Sequence, residues 1–72
     1  MEFNHRVILT MDGKEVDRDG WADQAEAINH YGSWWRTAAA VLEADIIKSY
    51  TVERLEKVNG EWVRQAFFEG CF

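Results

Sequence analysis

The sequence predicts an α+β fold. An N-terminal β-hairpin and a C-terminal β-hairpin form an antiparallel sheet, and one or two central helices cover one of its faces. Three observations predict it. Phe3 to Met11 alternates and runs into Asp12-Gly13, the middle of the chain carries apolar residues at helical spacing, and Asn59-Gly60 divides two runs rich in strand formers. Strands at both ends with helix between them bury their apolar faces most simply as two layers.

In the first segment Phe3, His5, Val7, Leu9 and Met11 share one face, with Asn4, Arg6, Ile8 and Thr10 on the other. Period-two patterning with β-branched residues is that of a half-buried strand. Asp12-Gly13 tolerates the positive φ angles of a type I′ turn. A two-residue turn there pairs Met11 with Lys14 and Leu9 with Val16, which brings Val16 onto the apolar face and ends the hairpin near Asp17.

Asp19-Gly20 is expected to close this hairpin and open a helix. Trp21, Ala25, Ile28 and Tyr31 follow helical spacing, and Asp23 and Glu26 lie where the helix dipole favours anions. Gly32 suits a left-handed C-terminal position and Ser33 suits an N-cap, so a break between two helices is expected there. Trp35, Ala38, Ala39, Leu42 and Ile46 then form the second stripe.

Ile46, Ile47, Tyr50, Thr51 and Val52 favour strand. Asn59-Gly60 is a strong hairpin signal, followed by Trp62, Val63, Phe67 and Phe68. Two registers remain open. A plain turn places Val52 opposite Phe67 and Glu56 opposite Val63; a bulge at Gly60 places Tyr50 and Val52 opposite Phe68 and Ala66. Gly70-Cys71-Phe72 is expected to be a tail, or to end with Phe72 in the core.

Composition narrows the functional classes. The 72 residues are 47% hydrophobic with four tryptophans, so residues 1–72 read as one small folded domain rather than a disordered chain. No apolar run reaches the roughly 20 residues of a membrane span. Met1 to Arg6 lacks the pattern of an export signal, and the single cysteine, Cys71, fits a reducing compartment. The net charge of −5 argues against a basic nucleic-acid-binding module. Direct binding to nucleic acid or membrane is therefore not expected.

Chemical motifs are few. Glu15, Asp17, Asp19, Gly20, Trp21, Asp23 and Glu26 reproduce the ligand spacing of an EF-hand calcium loop. Against that reading, Glu15 is longer than the usual aspartate, Ala22 stands where a branched apolar residue is usual, and a strand replaces the entering helix. No catalytic residue and no cofactor is predicted. His5 lies on the apolar face of a strand, His30 on a helix, and Cys71 beside the last residue, a poor place to hold a nucleophile rigidly. One cysteine and two histidines without close spacing do not make a zinc site.

The surface is more informative. Asp12 to Glu26 carries six acids and two bases, whereas Lys48 to Arg64 carries four bases and three acids. An acidic patch of Asp12, Asp17, Asp19, Asp23 and Glu26 would steer the chain onto a basic groove of a partner. Adjacent Trp34 and Trp35 point about 100° apart on a helix, so both cannot face one core. Trp34 is the expected exposed anchor, with Trp62 beside charges as a second.

The hairpin carrying Thr51-Val52, Arg54, Glu56, Asn59-Gly60 and Trp62 resembles the C-terminal hairpin of small phage-encoded anti-CRISPR proteins that inhibit type I systems. The compact α+β plan is also similar to that group. The likeness implies a non-enzymatic inhibitor that binds a CRISPR-Cas effector in the host bacterial cytoplasm and blocks its nucleic-acid or recruitment surface. It carries no catalytic motif and transfers no individual binding residue. The alternatives are a self-associating module whose exposed aromatics make a homodimer, and an EF-hand-like calcium-binding domain.

Overall fold

The computed structural model describes residues 3–71. Met1 and Glu2, within the stretch read for an export signal, and Phe72, read as tail or core, lie outside the described residues. The elements are β1 (His5–Met11), β2 (Lys14–Trp21), α1 (Gln24–Glu43), β3 (Ser49–Val58) and β4 (Glu61–Cys71). All strand pairings are antiparallel, in the order β2-β1-β3-β4. The α+β expectation holds, with two terminal hairpins and a single helix against one face.

Both turns have the geometry their sequences predict. Asp12 and Gly13 take φ of 52° and 81°, and Asn59 and Gly60 take the same pair of values, the left-handed backbone of type I′ turns. Each hairpin then contains a bulge that sequence reading did not place.

In the first hairpin Met11 pairs with Lys14 and Thr10 with Glu15, but Leu9 pairs with Asp17. Val16 drops out of register and is 53% exposed, contrary to the expectation that it faces Leu9. The slip has a physical return. It turns Trp21 onto the same face as His5, its cross-strand partner, where Trp21 packs against the core. A plain register would bury Val16 and turn the larger Trp21 ring outward, and the larger apolar area prevails. Strand β2 consequently runs on to Trp21, through Asp19-Gly20, rather than ending near Asp17.

In the second hairpin neither expected register extends along the whole ladder. Glu56 faces Val63 and Leu55 faces Arg64, as for a plain turn. Beyond them Arg54 pairs with Ala66, Val52 with Phe68 and Tyr50 with Gly70, so the extra residue is Gln65 rather than Gly60. The plain register would carry Glu69 opposite Tyr50, whose residue is only 4% exposed. The bulge substitutes Gly70 for that carboxylate. Gly70 and Cys71 are therefore strand residues, not a tail.

The helix begins at Asp23, the N-cap, whose Oδ1 accepts the Ala25 N–H at 2.9 Å. It continues through Gly32-Ser33 without the expected break. The stripe that meets the sheet is Ala27, Tyr31, Trp34, Ala38 and Val41, with alternating spacings of four and three, and Leu42 beside it. Because Tyr31 and Trp34 lie on either side of Gly32 and pack on one face, tertiary burial holds the glycine in the helix. Ala25 and Ile28, placed on the buried stripe by sequence, are exposed. The helix ends in a Schellman motif. Asp45, at φ 62°, donates its N–H to the Leu42 carbonyl, and the Ile46 N–H reaches the Val41 carbonyl. Ile46 then turns outward, 72% exposed, while Ile47 is buried.

The core lies between α1 and the central strands. Val7 and Leu9 of β1, Tyr50 and Val52 of β3, Ala38 of α1 and Ile47 of the connecting loop form it. Ala27 and Ala38 are fully buried; their small side chains let the helix approach the sheet closely. The helix crosses β1 and β3, leaving both edge strands with open margins.

Candidate protein-binding surfaces

Asp17 and Asp19 are alternate residues of edge strand β2, so both project from one face, opposite Leu9 and Val7. That face is the helix side, but both residues are exposed. Asp17 Oδ1 accepts the Arg18 N–H at 2.8 Å, and Asp19 Oδ1 accepts the Gly20 N–H at 2.9 Å. Neither contact neutralises a charge. Asp23 and Glu26 continue the patch at the helix start. Among the described residues, none of these four carboxylates has an ion-pair partner. Arg18, between the two aspartates, turns to the other face and holds Glu15 at 2.6 Å, which keeps its guanidinium above its ordinary pKa.

Asp12, expected in the same patch, sits at the opposite end of β2. Its Oδ1 accepts the N–H groups of Lys48 at 2.7 Å and Ser49 at 3.1 Å. It ties the first turn to the start of β3, so its carboxylate is committed to the fold.

Of the two anchor tryptophans, Trp34 stands differently from expectation and Trp62 lies beside charges as expected. Trp34 is half-buried, packed on the core and edge-on to Trp21 at 6.0 Å. Trp35 is the more open of the pair and covers Phe68 at 4.8 Å. The helix is rotated so that Trp34 completes the stripe begun by Tyr31, which the assumed helix break concealed. Trp62 lies half-buried on the opposite face of the sheet, with the Arg6 guanidinium 4.1 Å from its ring centroid and Lys57 Nζ at 6.0 Å. The seven predicted residues thus do not form one surface. Asp17 and Asp19 share one face of β2 and Asp23 and Glu26 stand at the start of α1, whereas Asp12 sits at the far end of β2, Trp34 is packed against Trp21 and the core, and Trp62 lies on the opposite face of the sheet.

Sequence reading missed a second surface. At the β4 margin Trp35, Val63, Phe67 and Phe68 are all exposed, Phe67 and Phe68 at 41% each. The signal was present in three large apolar side chains within a run without proline, but that β4 is an edge depends on strand order, which local sequence does not encode.

Among the described residues two buried side-chain polar atoms lack partners: His5 Nδ1 and Arg54 Nη1. Arg54 projects from β3 on the helix side, between Val7 and Ala66 in the cross-strand row. Burial raises the pKa of Tyr31, and the nearby positive charge of Arg54 opposes that effect. His30 is exposed and stacks on Trp21 at 4.5 Å.

Residues 15 to 21 are strand, so the segment read as a calcium loop does not have a loop's shape, and Glu15 lies on the opposite face from Asp17 and Asp19. Among the described residues there is no cluster of three or more metal-ligating side chains and no pocket. Among the described residues no helix is long and apolar enough to cross a membrane. No known protein family, curated protein or solved structure matches the chain.

Proposed function

We propose that this chain is a non-enzymatic binding protein that docks the acidic β2–α1 margin on a basic surface of a larger bacterial protein complex. One observation carries the reading: Asp17, Asp19, Asp23 and Glu26 share an exposed margin with no basic partner among the described residues. Unpaired like charges on a small domain repel one another, and an oppositely charged surface relieves that repulsion. A groove that normally holds nucleic acid offers such a surface. The likeness of the last hairpin to type I anti-CRISPR proteins makes a CRISPR-Cas effector in the bacterial cytoplasm the leading partner, with inhibition by occupation of its nucleic-acid or recruitment site.

The test is a binding titration against a purified type I effector at low and high salt, with nucleic acid as competitor. Wild-type chain is expected to bind and to compete with the nucleic acid. Its association rate should fall steeply with salt, because charges further apart than the Debye length of about 8 Å are screened at physiological ionic strength. The double variant Asp17→Lys, Asp19→Lys is expected to abolish binding. Unchanged binding by that variant overturns the acidic-margin reading, and absence of wild-type binding removes this effector as the partner.

A further inference from the structure

The two edges of the sheet are built differently. Edge strand β2 is guarded by Lys14, Glu15, Asp17, Arg18 and Asp19, the charged side chains that discourage pairing with another strand. Edge strand β4 is longer, contains no proline, and shows Phe67 and Phe68 at its margin. Its backbone is also directed. In β3 the Lys57 N–H bonds to Asn4, on the β1 side, so alternate residues from Tyr50 to Val58 are the ones that bond to β4. Their partners are Glu61, Val63, Ala66, Phe68 and Gly70. The N–H and C=O groups of Trp62, Arg64, Phe67 and Glu69 therefore face outward along the open edge.

We propose that two copies of this chain pair antiparallel through β4 about a two-fold axis at Phe67. The proposal stands independently of the acidic-margin reading. With the axis at Phe67 the outward backbone groups of that residue bond to their own symmetry mates. On the open face Phe67 meets Phe67 of the second copy. On the helix face each Phe68 lies across from the other copy's Ala66, beside Trp35. The bulge at Gln65 advances Arg64 by one place, so that it stands across from Glu69 of the second copy, twice by symmetry. Moving the axis to Glu69 opposes that carboxylate to itself, so charge selects the register. The assembly, β2-β1-β3-β4-β4-β3-β1-β2, also keeps the acidic margins apart. Seven strand spacings of about 4.8 Å separate them by about 34 Å, roughly four Debye lengths.

Sedimentation velocity over a rising concentration series is expected to show a species of twice the chain mass. Phe67→Lys, on the open face away from the core, is expected to weaken association by about tenfold or more. Arg64→Glu and Glu69→Arg should each weaken it, and the double exchange should restore it. Because Arg64 also pairs with Glu53 at 3.0 Å, hydrogen exchange provides a check that needs no variant. The amides of Phe67 and Glu69 should become protected as concentration rises. A monomer at every concentration overturns the proposal. So does a dimer in which those amides exchange freely or the charge exchange fails to restore pairing.

Discussion

The ring of Tyr50 lies against the backbone of Gly70. A Cβ built on that glycine would stand 2.5 Å from Tyr50 Cε1 and 2.9 Å from Cζ. The two residues are cross-strand partners on the helix side of the sheet, and Tyr50 is buried. The glycine leaves room for the ring, and the ring covers backbone that a glycine would leave bare. Gly70→Ala is expected to destabilise the fold by about 1–3 kcal/mol through overpacking. Urea unfolding checks this. The loss should shrink in a Tyr50→Leu background, since there the methyl group has space.

Gly32 is the opposite case. A Cβ there would meet only the end of Arg36, at 3.7 Å, in mid-helix. Gly32→Ala is expected to stabilise the protein by about 0.5–1 kcal/mol, the difference in helix propensity. Its thermal midpoint should rise.

Asp45 occupies the left-handed position that ends α1, with φ of 62°, and no basic residue lies in the last turn. The conformation suits glycine better, and a carboxylate at a helix C-terminus opposes the dipole. Lys48 approaches Asp45 at 3.0 Å, but the pair is exposed and contributes little. Asp45→Gly is expected to raise stability by about 1 kcal/mol, measured by chemical denaturation.

Arg54 carries a buried Nη1 with no hydrogen-bond partner. Desolvating part of a guanidinium without pairing it opposes folding. Arg54→Met keeps an unbranched apolar stem without the guanidinium, and stability is expected to hold or to rise by about 1–2 kcal/mol. A large loss in denaturation would show that the guanidinium supports the fold by a contact of its own.

Tyr31 gives the fold a pH dependence. Burial raises its pKa above the ordinary 10.0, with Arg54 acting in the opposite sense. The neutral phenol is thus favoured in the folded state. Its contribution is complete below the unfolded value and is lost as pH rises through the folded value. Urea midpoints should fall above pH 10.0 more steeply for wild type than for Tyr31→Phe.

What the sequence made legible was local. Asp12-Gly13 and Asn59-Gly60 specify their turns through backbone conformation alone, and the antiparallel α+β plan follows from them and from the helical middle. The two bulges depend on competition across strands, Trp21 against Val16 and Gly70 against Glu69, which is settled only when the helix covers one face. The same holds for Gly32. Its intrinsic preference favours a break, and packing of Tyr31 and Trp34 overrides it. Of the candidate surfaces, the acidic margin could be read because charge is carried residue by residue. The β4 margin could not, because edge status is a property of strand order.

That strand order also has a consequence for how the chain reaches its structure. Each hairpin closes through a two-residue turn, an event of about 1–10 μs. The β1–β3 ladder joins the two hairpins in one sheet, and it must bring Leu9 to Val52 across the intervening helix. The entropy of that closure is not offset until the core forms on it. Folding is therefore the rapid making of two local clasps followed by the slower zipping of one central seam, and the barrier is expected to be the registration of β1 on β3.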